Sequence, residues 1–298
     1  MKILVAEYAV GAGISEFMLE GRVMLGTLVQ SFVNCGHEVL YPTSGTLINT
    51  GTAVRIENFE NSIAYLSRNC DAGLVIAPDE ILGDLTEILE DNTANLGSPA
   101  DAVRLCADKL ECTRFLEKGN IPVPETLGSG KYYGDYVIKP RFGCASEGIH
   151  RSLKGTLKEG FIATHFIEGE HLSVSIVTGK TQLPLTVNRQ FIEIDGKISY
   201  KGGLVPYHCE RNEELIRTSE QALALLGCKG YAGVDIVLGD KPYVVDVNPR
   251  PTTSLIGISR VLLAEIADLI LRSRFGELPE HVITEGSFSF RKEDLSGF

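Results

Sequence analysis

The stretch GVDIVLGDKPYVVDVNPRP, residues 233–251, decides the fold of this chain. Two runs rich in β-branched residues flank the turn Gly239-Asp240-Lys241-Pro242, a pattern that predicts a β-hairpin. Asp246 and Asn248 stand two residues apart on the second arm, so the period of a strand aims both side chains at one face. The hairpin therefore presents polar oxygens side by side.

Asp235, on the first arm, adds another carboxylate to this pair. Carboxylate and amide oxygens are hard ligands that suit Mg²⁺, and a carboxylate on a buried face is costly unless positive charge meets it. Arg250 follows closely and supplies a fixed cation for an anionic substrate. Taken alone, the same residues fit equally well a strand end that starts a turn, so a metal site and a structural turn both stay open.

The composition limits the classes of protein to which this chain can belong. The chain has 298 residues, 44% of them hydrophobic, which allows two or three compact units with real cores in a soluble globular protein. A net charge of −11 argues against a nucleic-acid partner, because phosphate-backbone binding needs a basic face. We expect no membrane partner, since no signal peptide or membrane span is seen. Seven scattered cysteines without a CxxC pair predict reduced thiols and a cytoplasmic location.

Residues 1–96 predict a small parallel α/β domain. We expect strands at 2–7, 38–41 and 72–77 and helices at about 21–35, 63–69 and 81–91. Gly11 and Gly13 follow the first strand, but Glu16 stands where a dinucleotide fingerprint needs its third glycine. The pattern thus argues against a dinucleotide oxidoreductase and favours a substrate site in the loop at the strand end.

Two further units follow in the sequence. Residues 97–165 predict a central helix and a small lid subdomain, with Ser98 as the N-cap and Pro99 as the first residue of a helix that runs to Lys118. Residues 166–298 predict a C-terminal domain. Its expected elements are strands at 171–178, 183–194 and 198–205, a helix at 212–226, the hairpin, and a last helix at about 259–275.

The segment KPRFGCASEGIH, residues 139–150, places Lys139 ahead of a glycine-rich loop. Backbone amides around Gly143, Ser146 and Gly148 can wrap phosphate oxygens, although the segment is not a Walker motif. A flexible hairpin with a solvated lysine also fits this segment, and Lys109 alone fits an ordinary helix charge.

Residues 164–170, THFIEGE, end a strand with apolar residues followed by acidic ones. An adenine ring binds between apolar side chains and hydrogen-bonds to exposed backbone groups, and a ribose needs a hydrogen-bond acceptor nearby. This segment can supply both. A linker between two domains fits it equally well.

The order of these pieces resembles the ATP-grasp superfamily of carboxylate-amine ligases. The resemblance spans about residues 1–290 and is most specific in VD at 234–235 and DVNPRP at 246–251. The segments MKILVAEYAVGAG, EGRVMLGTLV and KPRFGCASEGI further resemble methanogen ligases that join L-glutamate to tyramine in methanofuran biosynthesis. The implied fold class is α/β, with an N-terminal parallel α/β domain, a small central lid and a C-terminal α+β domain.

The resemblance also implies a role for each motif around ATP, which would lie between the lid and the C-terminal domain. Lys109 and Lys139 would hold phosphates, and the loop Gly143–Gly148, with Ser146, would close over them. His165, Phe166 and Ile167 would meet adenine, and either Glu170 or His171 would take the ribose. Asp235, Asp246 and Asn248 would bind two Mg²⁺ ions, with Mn²⁺ as a substitute; an Asp at 246 replaces the commoner Glu.

The implied reaction phosphorylates a carboxylate, and an amine then attacks the acyl phosphate. Arg250, Arg189 and Lys139 are the catalytic candidates, and both arginines also fit substrate carboxylates because guanidinium binds them in a bidentate manner. Glu7 and Tyr8, at the end of the first strand, are the candidates for tyramine, with Glu20 and Arg22 beside them. A ligase for another amino acid or peptide-like pair, a non-catalytic nucleotide-binding module, and a homodimer all stay open.

Overall fold

A computed structural model of the chain describes residues 1–143 and 148–297. Cys144 and Ser146 of the predicted phosphate loop lie outside the described residues. The described residues form two sheets, one parallel and one antiparallel, with helices packed against both. None of the described helices is long and apolar enough to cross a bilayer.

The N-terminal sheet has five parallel strands in the order β3-β2-β1-β4-β5. They are β1 Lys2–Glu7, β2 Glu38–Thr43, β3 Thr52–Arg55, β4 Ala72–Ile76 and β5 Ala94–Asn95. The helices are α1 Tyr8–Ala12, α2 Met18–Asn34, α3 Phe59–Ser67 and α4 Asp79–Glu90. The predicted helix at 21–35 corresponds to α2, whose Leu28, Val29 and Phe32 are 0% exposed. The exposed edge strand β3 and the short β5 were not predicted.

The second sheet has ten strands, nine of them in the order β14-β13-β10-β11-β12-β8-β7-β9-β6, with β15 also paired to β12. They are β6 Thr126–Leu127, β7 Lys131–Pro140, β8 His150–Thr156, β9 Phe161–His165, β10 Glu170–Thr178, β11 Gln182–Asp195, β12 Lys197–Val205, β13 Gly230–Leu238, β14 Pro242–Asn248 and β15 Phe288–Arg291. The helices in this part of the chain are α5 Ala100–Ala107, α6 Lys109–Lys118, α7 Asn212–Leu226, α8 Leu255–Val261, α9 Ile266–Phe275 and a 3-10 helix Lys292–Gly297.

Two of the predicted helices are each divided in the structure. The helix expected from Ser98 to Lys118 breaks at Asp108, whose ψ of 90° is not helical and whose carboxylate accepts the Glu111 amide at the start of α6. Ser98 is not an N-cap, because its hydroxyl donates to the Lys229 carbonyl at 2.8 Å. The last helix likewise divides into α8 and α9, with Leu262 extended between them.

Two apolar cores position the site. One packs α2 of the N-terminal domain against α8 and α9, through side chains such as Leu28, Phe32 and Ile270. The other packs α6 and α7 against β10 and β13, through side chains such as Leu116, Leu223 and Val234. The carboxyl ends of β1 and β4 thereby face the β13–β14 hairpin across a cavity.

Candidate active site

One cavity, with a volume of 320 Å³, gathers side chains from both sheets. Its lining includes most of the predicted residues: Tyr8, Lys109, Lys139, Gly143, His165, Phe166, Ile167, His171, Asp235, Asp246, Asn248 and Arg250. These residues come from seven helices and strands and from three loops. The sequence motifs therefore meet at one place in the fold.

The β13–β14 hairpin sets the oxygen atoms of the cavity. Asp235 pairs directly with Asp246 across the two strands, and Gly233 pairs with Asn248. A bulge makes Val245 an extra residue on β14, because Ile236 pairs with Val244 and Asp235 with Asp246. The predicted clustering of the two carboxylates and the amide is thus present in the structure.

The pKa values of the two carboxylates shift in opposite directions. Burial, together with the negative charge of Asp246, raises the pKa of Asp235 to about 7, although Gln190 and Asn248 donate to it at 2.9 and 3.3 Å. Burial also acts to raise the pKa of Asp246, but the charges of Lys109 and Lys139 outweigh it and the pKa falls below its usual value. Asp246 is therefore the carboxylate that stays charged.

Two lysines line the cavity beside these oxygens. Lys109 is 6% exposed, and its Nζ lies 3.3 Å from Asp79 Oδ2 and 3.4 Å from Asp246 Oδ1. Burial opposes its charge, yet the two carboxylates raise its pKa above the usual value. Lys139 donates to the Val245 carbonyl at 2.8 Å, and burial lowers its pKa. The bulged carbonyl thus positions one ammonium group, and carboxylates position the other.

Asp79 is a site residue that the sequence analysis missed. It is 8% exposed at the first position of α4, directly beyond β4, and it pairs with Lys109 and with Arg250 Nη2 at 3.2 Å. Its only sequence signal is an acidic residue following a buried strand. Through Asp79 the N-terminal domain holds two of the cations that line the cavity.

The residues present fit a divalent cation. Among the described residues, no three Cys, His, Asp or Glu side chains form a metal-binding group, so any ion here would rely on Asp235, Asp246 and the amide oxygen of Asn248. Mg²⁺ commonly uses one or two carboxylates and completes its shell with phosphate oxygens and water. Asn248 directs its amide nitrogen to Asp235, which leaves its oxygen for an ion. When bound, the ion would neutralise phosphate charge.

The predicted adenine segment forms an apolar part of the cavity. His165, Phe166 and Ile167 line it, together with Val137, Ile149 and Val237. The amide of His165 is already committed to the Glu125 carbonyl at 2.8 Å, and that of Phe166 to the Asp135 carbonyl at 2.8 Å. Within the described ranges the Ile167 amide has no such partner. Ile167 is thus the residue best placed for a hydrogen bond to a base.

The structure separates the two ribose candidates. His171 lines the cavity, and burial lowers its pKa, so the imidazole is neutral at pH 7. Glu170 instead accepts the Tyr207 hydroxyl at 3.1 Å and lines an adjoining cavity. His171 also borders that adjoining cavity, so the difference is that Glu170 does not line the main one.

The glycine loop begins at a tight ion pair. Arg141 makes two hydrogen bonds to Asp108, at 2.7 and 2.6 Å, and its carbonyl accepts the Lys109 amide at 3.0 Å. Gly143 has φ of 136° and Gly148 of 70°, both in the region that favours glycine. The pair ties the loop to the start of α6, a link that the sequence did not predict.

The end of the first strand departs from prediction. Glu7 is 6% exposed, caps α1 by accepting the Val10 amide at 2.8 Å, and is not among the residues that line the cavity. Burial raises its pKa to about 7. Tyr8 does line the cavity and packs against Phe59. The acidic side chain that reaches the cavity here is Glu20 of α2.

Arg189 is not brought to the cavity. It is exposed on β11, lies over the Tyr207 ring at 5.6 Å, and lines the adjoining cavity beside Glu170. Its neighbour Gln190 faces the main cavity and donates to Asp235. The alternation of a strand places the amide on one face and the guanidinium on the other. The prediction of Arg189 as a group at the reacting centre is therefore not supported by its position.

The cavity holds lysines, an arginine and carboxylates beside an apolar slot, and it lies between a parallel α/β domain and an antiparallel sheet. This arrangement is that of a nucleotide-dependent ligase with the ATP-grasp fold. Residues 106–254 match the family model described as the ATP-grasp domain, and the chain belongs to this family.

The similarity to known proteins covers nearly the whole chain. Tyramine–L-glutamate ligase from Methanocaldococcus fervens is 30% identical over 92% of this chain and 94% of its own length. The enzyme of the same name from Methanocaldococcus jannaschii is 29% identical, with coverages of 92% and 90%. The crystal structure of an ATP-grasp superfamily protein from Archaeoglobus fulgidus matches with a TM-score of 0.81 and 29% identity, covering 98% of each chain. The chain is an ATP-dependent carboxylate-amine ligase.

Proposed function

We propose that this ligase joins the γ-carboxylate of L-glutamate to the amine of tyramine, releasing ADP and phosphate, in methanofuran biosynthesis. One observation carries the proposal: a single cavity joins the lysine and carboxylate cluster to a pocket that holds a carboxylate, Glu20, among apolar and aromatic side chains. The similarity to tyramine–L-glutamate ligases over 92% of the chain supports the same pair of substrates.

The nucleotide would lie across the cavity from the adenine segment to the hairpin. Ile167 would hydrogen-bond the base, and His171 would take the ribose. Lys109 and Lys139 would hold the phosphates, because both ammonium groups face the oxygen cluster and are shielded from water. Asp235, Asp246 and Asn248 would hold two Mg²⁺ ions, for which Mn²⁺ would substitute.

The γ-carboxylate oxygen of glutamate would attack the γ-phosphorus of ATP, and ADP would leave. The amine of tyramine, as its free base, would then attack the carbonyl carbon of the acyl phosphate. The bond from that carbon to the phosphate oxygen would break, the leaving phosphate would take the proton that the nitrogen loses, and an amide and inorganic phosphate would form. Arg250, held by Asp79, would stabilise the negative charge of the acyl phosphate. No protein nucleophile is needed, so positioning and charge supply the catalysis.

The substrate pair can be tested with purified protein, Mg²⁺-ATP and a matched panel. The acids are L-glutamate, L-aspartate and L-glutamine; the amines are tyramine, phenethylamine and agmatine. We expect ADP and the γ-amide mass with L-glutamate and tyramine, and no product with L-glutamine, whose γ-carboxylate is blocked. Failure to form ADP and an amide with glutamate and any amine, or formation of the α-amide, would contradict the proposal.

A further inference from the structure

An ammonium group of the chain itself lies inside the cavity. Lys292, the first residue of the C-terminal 3-10 helix, places its Nζ 2.8 Å from Glu20 Oε2 and 5.3 Å from the centre of the Tyr200 ring. The side chains of Lys292 and Glu20 are 31% and 23% exposed, so the pair is partly shielded from water. A carboxylate beside an aromatic face is the environment that binds primary ammonium ions.

Glu20 is held ready for this contact by a second partner. The Thr253 hydroxyl donates to Oε1 of Glu20, which leaves Oε2 for Lys292. Thr253 lies shortly beyond Arg250 along the chain, and both residues line the cavity. The carboxylate is thus fixed on the same wall of the cavity as the proposed activating arginine.

The cavity that holds the pair is also lined by apolar and aromatic side chains. Phe17, Met24 and Tyr8 line the same cavity as Glu20 and Tyr200. A ligand that fits here would carry an ammonium group for Glu20 and a ring for the apolar walls.

We infer that Glu20 and Tyr200 form the binding subsite for a primary arylalkyl-ammonium substrate, and that Lys292 occupies this subsite until the substrate amine displaces it. The inference rests on the proposed function for the identity of the amine. The long, flexible lysine stem can leave the subsite while β15 keeps its pairing with β12. Lys292 therefore competes with the amine and is a determinant of amine specificity.

Competition has a measurable consequence. If Lys292 fills the subsite for part of the time, the apparent affinity for the amine falls by the fraction of molecules in which the subsite is open. Removing its ammonium group should then tighten amine binding, whereas removing the Glu20 charge should weaken it.

The test compares Lys292→Met, Glu20→Gln and a control, Lys2→Met, which breaks the surface pair Lys2–Glu38 far from the cavity. KM is measured separately for tyramine, L-glutamate and ATP. We expect the KM for tyramine to fall about threefold to tenfold in Lys292→Met, to rise about tenfold or more in Glu20→Gln, and to stay unchanged in Lys2→Met. The KM for L-glutamate should stay the same in all three. An unchanged or raised KM for tyramine in Lys292→Met, or a shift in the KM for L-glutamate, would overturn the inference.

Calorimetric titration with phenethylammonium separates this inference from the proposed function, because it needs no turnover. Binding that tightens in Lys292→Met and is lost in Glu20→Gln would support the subsite even if no amide forms with tyramine. Amide formation together with unaltered phenethylammonium binding in both variants would leave the proposed function standing and overturn the subsite.

Discussion

Lys109 and Asp246 form an ion pair that joins the start of α6 to β14, with 3.4 Å between Nζ and Oδ1. Lys109 also pairs with Asp79, which in turn pairs with Arg250. The cavity thus balances Lys109, Lys139 and Arg250 against Asp79, Asp235 and Asp246. Through the ion pairs of Asp79 with Lys109 and Arg250, groups that would bind phosphate also link the N-terminal domain to the second sheet.

The two lysines should differ in their contribution to stability. Lys109→Met leaves Asp79 and Asp246 without their common cation, so we expect a loss of about 3 kcal/mol in the free energy of unfolding. Lys139→Met removes a buried charge whose partner is one carbonyl, so the change should stay within about 1 kcal/mol. Urea denaturation measures both values.

Both lysine variants should nevertheless raise the KM for ATP by about tenfold or more, since each loses a charge-assisted contact to phosphate. Equal loss of stability in the two variants would contradict the ion-pair account. A normal KM for ATP in Lys139→Met would contradict its proposed role.

Asp246→Asn tests the oxygen cluster. The amide keeps the shape of the side chain but removes the charge, so we expect kcat to fall at least about a hundredfold. Asp240→Asn is the matched control, because Asp240 lies in the turn of the same hairpin and is exposed. Circular dichroism verifies the fold of both, and kcat near that of the unmodified protein in Asp246→Asn would refute the metal assignment.

The pair Asp108–Arg141 should position the glycine loop. Arg141→Met removes the side-chain bonds to Asp108 and leaves only the backbone bond to Lys109, and we expect kcat/KM for ATP to fall about tenfold because small misplacements of catalytic groups are costly. Arg114→Met removes a comparable surface pair with Glu111 on the same helix and should change the value less than about twofold. Similar effects in the two variants would mean that the loop does not depend on this pair.

Glu7 predicts a dependence of stability on pH. Its pKa rises from 4.5 to about 7 on folding, chiefly through burial, so the folded state keeps a proton that the unfolded state loses between these values. Stability from this group is therefore greatest below pH 4.5 and declines as pH rises to 7, by about 3 kcal/mol in all. Glu7→Gln retains an acceptor for the Val10 amide and should lose this dependence. Parallel pH profiles of unfolding free energy for the two proteins would contradict the account.

Local pattern predicted the parts of the site that lie within one element. The turn and β-branched arms predicted the β13–β14 hairpin, and the period of a strand correctly placed Asp246 and Asn248 together. The bulge at Val245 was not predicted, because it depends on the pairing register. The carbonyl contact to Lys139 could therefore not be predicted either.

Contacts between distant elements escaped prediction. Asp79 and Lys292 join the site only because separate elements meet there, and no local spacing marks them. Lys292 lines the cavity, and Asp79 pairs with Lys109 and Arg250, which line it. Arg189 lies on the expected strand but lines the adjoining cavity and not the main one, a difference that residue type alone could not predict. Glu7 was misplaced because α1 begins directly after β1 and uses its carboxylate as a cap.

The central claim is that the protein forms an acyl phosphate on the γ-carboxylate of L-glutamate. L-glutamate labelled with ¹⁸O in that carboxylate, incubated with Mg²⁺-ATP and tyramine, tests it directly through the phosphorus NMR signal of the released phosphate. The account predicts that each phosphate carries one ¹⁸O atom, since the attacking oxygen leaves with the phosphoryl group. Amide formation with unlabelled phosphate would contradict it.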